Sequence, residues 1–189
     1  MHAESRSVKV MVAGGFGTGK TTMVGSVSDI APLTTEETLT QASVGVDDLV
    51  GVADKRSTTV SLDFGRISLN EQLVLYLFGT PGQERFWFLW NGLCKGALGA
   101  VVLVDTRRLR SSFRAIEEME RLDVPFVIAL NVFPDAKRHP LDEVREALAV
   151  SPRTPIISCD ARDRLSSRTV LIALIRHLKE RSAAAGEHR

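Results

Sequence analysis

The residues most able to do chemistry form the run GGFGTGKT at positions 14–21, which fits the spacing G-x-x-x-x-G-K-[ST]. Glycines let such a run curl so that its amide groups point at phosphate oxygens, and the start of the following helix adds partial positive charge. Lys20 is predicted to reach the β- and γ-phosphates of a nucleotide, and the Thr21 hydroxyl is predicted to ligate Mg²⁺. The residues expected to bind phosphate are Gly14, Gly17, Thr18, Gly19, Lys20, Thr21 and Thr22. The run predicts a nucleoside triphosphate site and leaves open whether the protein is a GTPase, an ATPase or a small-molecule kinase.

A strand and a helix must hold this loop. Residues 8–13 form an apolar run of strand type directly before it, and a helix is predicted after it as far as Ile30. Residues 59–69 and 72–78 predict two strands joined by a tight antiparallel hairpin. From residue 100 onward, short apolar strands alternate with helical stretches. This alternation predicts an α/β fold with a mostly parallel sheet and helices on both faces.

The segment at residues 31–58 shows no sustained apolar period, so we expect a mobile loop with at most one short helix at residues 35–42. Between positions 29 and 54 the chain carries six acidic residues and no basic residue. Structureless loops of this length are usually functional.

Composition limits the remaining possibilities. The 189 residues include 24 Lys plus Arg and 23 Asp plus Glu, and the net charge of +1 argues against nucleic-acid binding through a broad basic field. No apolar run approaches the ~20 residues that span a bilayer. Two cysteines are too few for a disulfide scaffold or a metal cluster. We expect a cytoplasmic single domain at residues 7–181 with flexible tails at 1–6 and 182–189, recruited to a membrane, if at all, through a partner.

A second group of motifs resembles the Ras-like small GTPases. Residues 79–99, GTPGQERFWFLWNGLCKGALG, resemble the second switch of that family, and Thr59 resembles its first-switch threonine. With GGFGTGKTT, TTVSLDFGR and CDARDR added, the pattern is most similar to the conservon-encoded GTPases of actinobacteria, relatives of the MglA-type bacterial polarity switches. The resemblance implies a three-layer P-loop fold with a six-stranded, mostly parallel sheet, one antiparallel edge strand and about five helices.

The resemblance also implies a regulatory GTPase that binds GTP with Mg²⁺, hydrolyses it slowly to GDP, and signals by ordering switch segments at about residues 31–59 and 79–95. Thr59 would bind Mg²⁺ and the γ-phosphate, the Gly82 amide would bond the γ-phosphate, and Gln83 would orient the attacking water. In that family the GTPase works beside a sensor-kinase-like protein and a roadblock-type protein, so similar partners are expected.

Three positions modify this expectation. Arg56, three residues before Thr59, is either an arginine finger supplied in cis or a solvated loop residue. The bulky Phe16 in the phosphate loop would hinder an arginine inserted there by a partner. Ras-like proteins support Mg²⁺ with an Asp where this chain has Gly79, so we expect either weaker Mg²⁺ binding or help from Asp63 on the neighbouring strand.

The segments expected to bind the base depart from the family. Guanine specificity usually rests on Asn-Lys-x-Asp, but residues 131–135 read NVFPD, with Pro134 at the Asp position and the acid one residue late. Because proline fixes the local backbone, it stays open whether Asp135 reaches the base or Asn131 merely caps a strand. In residues 159–162, CDAR, the Ala161 amide is expected to reach guanine O6. The residues expected at the base are Asn131, Asp135, Cys159, Asp160 and Ala161.

Two other functions stay open. Gly79 and Phe16 are compatible with a nucleotide-binding pseudo-GTPase that acts as an adaptor without turnover. Pro134 is compatible with an ATP-using P-loop enzyme, although the acidic segment at residues 29–54 has the wrong charge for the arginine-rich lid that such enzymes use.

Aromatic and basic residues cluster at two further places. Four of the eleven aromatic residues lie within residues 86–90. Not all of these rings can face inward from one helical turn, so Trp87 or Trp90 is predicted to contact an effector. The basic run at residues 107–114 is interpreted as a solvated helix start, with a docking surface for an acidic partner as the alternative. Asp105, before it, is interpreted as the cap of a turn.

Overall fold

The computed structural model describes residues 6–39 and 58–186, within which seven strands form one sheet. The strands are β1 (Arg6–Gly14), β2 (Leu33–Leu39), β3 (Thr58–Asn70), β4 (Leu73–Gly79), β5 (Ala97–Val104), β6 (Phe126–Asn131) and β7 (Ile156–Cys159). The helices are α1 (Lys20–Val27), α2 (Trp90–Cys94), α3 (Arg110–Arg121), α4 (Leu141–Leu148) and α5 (Arg164–Gly186), with 3₁₀ turns at Glu84–Leu89 and Thr106–Arg108.

The strand order in the sheet is β2-β3-β4-β1-β5-β6-β7. Strand β1 pairs in parallel with β4 and β5, and β6 continues the parallel arrangement to β7. Strand β3 is antiparallel to both of its neighbours, so among the described strands it alone runs against the others. The predicted α/β fold with a mostly parallel sheet is therefore confirmed.

Strand β2 adds a seventh strand and corrects the prediction for this segment. A loop with a short helix at residues 35–42 was expected, but Leu33–Leu39 pairs with β3 in register from Leu33 opposite Phe64 to Leu39 opposite Thr58. The sequence LTTEETL lacks the apolar alternation of a half-buried strand, which is why the pattern missed it. Its three threonines favour a strand once β3 offers backbone partners.

Apolar side chains pack against both faces of the sheet. In β1, Met11 and Ala13 face one core cluster and Val10 and Val12 face the other, as side-chain alternation along a strand requires. Helices α3 and α4 cover the first face, and α1 and α5 cover the second. Because parallel strands point the same way, the carboxyl ends of β1, β4, β5, β6 and β7 meet at one edge, and the loops that follow them come together there.

The last helix is longer than the sequence pattern indicated. The prediction placed a flexible tail after residue 181, but α5 continues to Gly186 through a stretch rich in alanine, which favours helix. The domain span of 7–181 stays a prediction, and β1 already begins at Arg6. Neither α5 nor any other helix in the described part of the chain is both long enough and apolar enough to cross a membrane.

Candidate functional site

The loop between β1 and α1 curls around the ammonium group of Lys20. Gly14, Gly17 and Gly19 adopt φ angles of +144°, +74° and +102°, which side chains other than that of glycine rarely tolerate. Lys20 Nζ donates hydrogen bonds to the carbonyl oxygens of Gly14 at 3.0 Å and Gly15 at 2.8 Å. The predicted phosphate loop is therefore formed as its sequence spacing indicates.

The environment of Lys20 disfavours its positive charge. Burial lowers the pKa of Lys20 to about 8, and the nearby Asp63 carboxylate raises it in part. A buried ammonium bonded to neutral carbonyl groups lacks the solvation that water would supply. An anion placed beside it would therefore stabilise the charged form.

A hydrogen bond links the end of the phosphate loop to β3. The Thr21 hydroxyl donates to Asp63 Oδ2 at 2.7 Å, and Asp63 is only 6% exposed. Asp63 pairs across the sheet with Gly79, where a Cβ atom would lie 2.9 Å from Asp63 Cβ and 3.0 Å from its Oδ2. Glycine at position 79 thus leaves room for a carboxylate that comes from the neighbouring strand.

A cleft of about 370 Å³ opens beside this loop. Its lining brings together Lys20 and Thr21 from the start of α1 and Gly82 and Gln83 from the segment after β4. A Cβ atom on Gly82 would lie 2.6 Å from Lys20 Nζ and 3.0 Å from the backbone Cα atom of Phe16, so glycine permits this close approach. The complete lining is Phe16, Gly17, Gly19, Lys20, Thr21, Thr22, Asp63, Thr80, Pro81, Gly82, Gln83 and Phe86.

The predicted first-switch residue Thr59 is not brought into this arrangement. Thr59 lies in β3 opposite Thr38 of β2. An extended strand rises ~3.3 Å per residue, so Thr59 stands about 13 Å along the strand from Asp63. Arg56 falls outside the described residues. The predicted catalytic and metal-binding roles of Thr59 and Arg56 stay predictions.

The aromatic cluster after Gln83 is mostly packed inward. Trp90 is 1% exposed, and its Nε1 donates to the carbonyl oxygen of Pro81 at 3.3 Å. Trp87 is partly buried and meets Trp90 edge to face, with ring centroids 6.5 Å apart. Phe88, in contrast, is 68% exposed. The predicted effector contact through Trp87 or Trp90 stays a prediction, and the ring at the surface of this structure is Phe88.

Asn131 joins three segments of the site. Its Nδ2 donates to the carbonyl oxygen of Thr18 at 2.9 Å, and its Oδ1 accepts from the amide of Ala161 at 3.0 Å. The side chain therefore ties β6 to the phosphate loop and to the loop after β7, which is more than the strand cap left open as an alternative. The Ala161 amide, expected to reach guanine O6, is bonded to Asn131 here.

Arg107 and Arg108, the first two arginines of the basic run after β5, are ion-paired with Asp105, which corrects the interpretation of these two as part of a solvated helix start. Asp105 is fully buried, and its carboxylate accepts from Arg107 Nε and Nη2, both at 3.0 Å, and from Arg108 Nη2 at 3.4 Å. Burial by itself raises the pKa of Asp105, but the hydrogen bonds from Arg107 outweigh it and leave the pKa lowered. The backbone amide of Arg107 also bonds Asp105, so the predicted cap is present as well.

Arg107 extends from Asp105 to the loop after β6. Its Nη1 lies 3.1 Å from both carboxylate oxygens of Asp135, and its guanidinium carbon lies 3.8 Å from the ring centre of Phe133. No sequence pattern indicates this contact, because residues 107 and 135 are distant in the chain. One feature could have suggested it: a basic residue follows β5 and an acidic residue follows β6, and the ends of these neighbouring parallel strands lie side by side.

The loop after β7 contains a similar pair. Arg162 Nε donates to Asp160 Oδ1 at 2.9 Å and its Nη2 donates to Oδ2 at 2.8 Å. The side-chain hydrogen bond from Arg162 lowers the pKa of Asp160. Cys159 is buried, and burial raises the pKa of its thiol. Cys159 is therefore a neutral packing residue next to the loop expected to bind the base.

Comparison with protein families and curated proteins gives two matches. A family model described as a conserved hypothetical ATP binding protein matches residues 12–181. An uncharacterised protein of Methanocaldococcus jannaschii is 26% identical over 126 residues, which make up 66% of this chain and 69% of that protein.

Solved structures of the FeoB iron transporter share the fold. The G domain of T. maritima FeoB matches with a TM-score of 0.58 at 18% identity, covering 93% of this chain and 98% of that one. The FeoB G-domain of Methanococcus jannaschii matches with a TM-score of 0.60 at 14% identity, covering 92% and 99%. The cytosolic domain of T. maritima FeoB in a GDP form gives 0.64 at 14% identity, covering 92% and 64%. The predicted three-layer P-loop fold, which the chain shares with these G domains, is thus confirmed, and the finer resemblance to conservon-encoded GTPases stays a prediction.

Proposed function

The chain belongs to the family described as conserved hypothetical ATP binding proteins; combining this membership with its P-loop GTPase fold, we propose that it is a GTP-binding switch that hydrolyses GTP slowly to GDP. The observation that carries the proposal is the cleft whose lining combines Lys20 and the Thr21–Asp63 pair with Gly82 and Gln83. Guanine is preferred to the adenine of the family description because two FeoB structures with this fold are G domains, and a structure of the FeoB cytosolic domain is a GDP form.

The phosphate loop would bind the nucleotide through backbone amides and Lys20. Phosphate oxygens would replace the carbonyl partners of Lys20 and restore the stability of its charge. Mg²⁺ fits the donors present, because the Thr21 hydroxyl and the Asp63 carboxylate are hard oxygen ligands next to the expected phosphates. Thr21 would ligate the ion and Asp63 would support it. When bound, Mg²⁺ neutralises charge on the β- and γ-phosphates.

Hydrolysis would require one oriented water. We assign that role to Gln83, which lies on the cleft wall just before the 3₁₀ turn at Glu84–Leu89. The water attacks the γ-phosphorus, the bond to the β-phosphate oxygen breaks, and the products are GDP and inorganic phosphate. The Gly82 amide would bond the γ-phosphate, for which its closeness to Lys20 Nζ is suitable.

The switch segments at about 31–59 and 79–95 would carry the signal. For Thr59 to bind Mg²⁺ and the γ-phosphate, the first residues of β3 must leave their pairing with β2, so loss of this edge pairing would itself be the conformational change. Arg56, three residues before Thr59, would act in cis as an arginine finger. On the other segment, the Trp90–Pro81 hydrogen bond links the residues before Gly82 to the core.

Partner proteins would bind according to the conformation of these switch segments. A sensor-kinase-like and a roadblock-type protein are proposed from the resemblance of the sequence, with contact through the segment that contains Trp87, Phe88 and Trp90. Phe88 supplies an exposed ring for such contact. The near-neutral charge of the chain favours protein partners over nucleic acid.

One observation favours the ATP-using alternative. Asp135 and Asp160, the two carboxylates expected near the base, are both paired with arginines. A base pocket without an available carboxylate loses the charge-assisted hydrogen bonds that select guanine.

Single-turnover hydrolysis of GTP, with ATP in parallel, tests the proposal. We expect slow GTP hydrolysis by the native chain. In Gln83→Leu the rate should fall to roughly one tenth of the native rate or below. The matched control is Gln72→Leu, which changes an exposed glutamine in the β3–β4 hairpin. Equal and negligible rates in all three proteins would favour the adaptor without turnover, and faster hydrolysis of ATP than of GTP would favour the ATP-using enzyme.

A further inference from the structure

The two carboxylates that the sequence predicts near the base, Asp135 and Asp160, are both engaged by arginines. Asp135 is bonded by Arg107 and Asp160 by Arg162, and in each pair both carboxylate oxygens take part. A carboxylate selects guanine by accepting from its N1–H and its N2 amino group with the same two oxygens. An arginine and a guanine edge would therefore compete for one carboxylate.

The contact between Arg107 and Asp135 has a particular geometry. Nη1 is 3.1 Å from Oδ1 and 3.1 Å from Oδ2, so it lies midway between the two oxygens. That position is the side of the carboxylate on which a bidentate partner approaches. The Asp135 side chain is 73% exposed, so solvent screens the pair and a ligand can displace it.

Arg107 is fixed at its other end. Its Nε and Nη2 bond the buried Asp105, and its guanidinium lies over Phe133. In the part of the chain that the structure describes, the hydrogen bonds of Arg162 all go to Asp160. Arg107 is therefore the anchored member of the two arginines, because Asp105 holds it independently of Asp135.

We infer that Arg107 is a specificity-determining residue that masks Asp135 and so reduces the preference of the site for guanine over adenine. The inference rests on the proposed function, because it requires a purine nucleotide whose base lies at the loops after β6 and β7. GTP must displace Arg107 to use Asp135. ATP has no such requirement, because the adenine edge presents an acceptor at N1 where guanine presents a donor.

The test is a competition titration of GTP, ATP and ITP in Mg²⁺ on the native chain and on Arg107→Lys. Lysine keeps a positive charge beside the buried Asp105, so the carboxylate is not left as an isolated buried charge. Its compact ammonium lacks the planar guanidinium that contacts Asp105 and Asp135 at the same time. We expect the ratio of GTP to ATP affinity to rise roughly fivefold. The ratio of ITP to ATP affinity should rise less, because the base of ITP lacks the N2 amino group. Arg110→Lys is the matched control and should leave the ratio unchanged.

A second variant separates masking from a general effect on the fold. In Arg107→Lys combined with Asp135→Asn the carboxylate is gone, so the gain in the ratio should disappear while the melting temperature stays that of Arg107→Lys. An unchanged or lower ratio in Arg107→Lys, with binding intact, would overturn the inference alone. Binding of neither GTP nor ATP by the native chain would overturn the proposed function and the inference with it.

Discussion

The loop around Lys20 and the loop around Asp135 lie at the same edge of the sheet but hold their charged groups in opposite ways. Lys20 is buried and bonded to neutral carbonyl oxygens, which leaves its charge poorly stabilised. Asp135 is exposed and already bonded to the opposite charge of Arg107. An incoming anion therefore gains much from Lys20, whereas an incoming base gains little from Asp135. The phosphate half should dominate affinity, and the base half should contribute modest selectivity.

The largest expected effect is that of Lys20→Met. Without the ammonium, nucleotide affinity should fall roughly 100-fold or more, because charge-assisted hydrogen bonds to phosphate are lost. The same variant should raise the melting temperature of the nucleotide-free protein, because a desolvated charge is replaced by an apolar chain of similar size.

Isothermal titration with GTP and a thermal melt check both effects together. Lys179→Met, which removes an exposed lysine on α5, should change neither value. A lower melting temperature with unchanged affinity in Lys20→Met would mean that Lys20 serves the fold and not the phosphates.

The second effect concerns the carboxylate that supports Mg²⁺. Asp63→Gly should lower the apparent affinity for Mg²⁺ in the nucleotide complex roughly tenfold, because Thr21 loses its hydrogen-bond partner. Gly79→Asp alone should destabilise the protein, because its Cβ would lie 2.9 Å from Asp63 Cβ. Combining Asp63→Gly with Gly79→Asp removes this clash and returns a carboxylate to the same place.

Mg²⁺ titrations at fixed GTP measure the outcome. The combined variant is expected to recover most of the affinity lost in Asp63→Gly. If Asp63→Gly leaves the Mg²⁺ dependence unchanged, Asp63 has no part in holding the ion.

The contrast between the two loops also explains which parts of the fold and of the site could be predicted from the sequence. The phosphate loop depends on backbone geometry and one lysine, and the spacing of glycines encodes both. Most strands were predictable because their apolar runs are buried on the sheet. Strand β2 was not, because its pattern lacks apolar alternation and its partner is distant in the chain.

The base half illustrates a different limit. Asp135 and Asp160 were recognised as candidates from their positions after β6 and β7. Whether a carboxylate is available, however, depends on which arginines reach it, and Arg107 comes from the end of another strand. Asp63 was proposed as a substitute for the acid missing at position 79, and the cross-strand pairing of these two positions supplies its physical reason.

A smaller effect appears in the pH dependence. The pKa of Lys20 is about 8 in the nucleotide-free fold, below its ordinary value of 10.5. The unfolded chain therefore binds more protons between these values, so the destabilisation caused by buried Lys20 is complete below about pH 8 and is relieved as pH rises toward 10.5. Phosphate should raise the pKa again, so binding near pH 9 should take up a fraction of one proton.

Calorimetric titrations at pH 9 in two buffers with different ionisation enthalpies measure this uptake. For the native chain, the heats of nucleotide binding should differ between the two buffers. For Lys20→Met, titrated at a concentration where its residual binding is detectable, the two heats should agree. Equal heats for the native chain would contradict the assignment of the proton to Lys20.

In the proposed function, the site binds guanine nucleotides through a strong phosphate half and a partly masked base half. A competition titration of GTP, GDP and ATP against the native chain in Mg²⁺ tests it most directly. We predict that GTP and GDP bind more tightly than ATP by roughly tenfold, the value of about one hydrogen bond and not of a charged bidentate pair. Affinity for ATP equal to or greater than that for GTP would contradict the account.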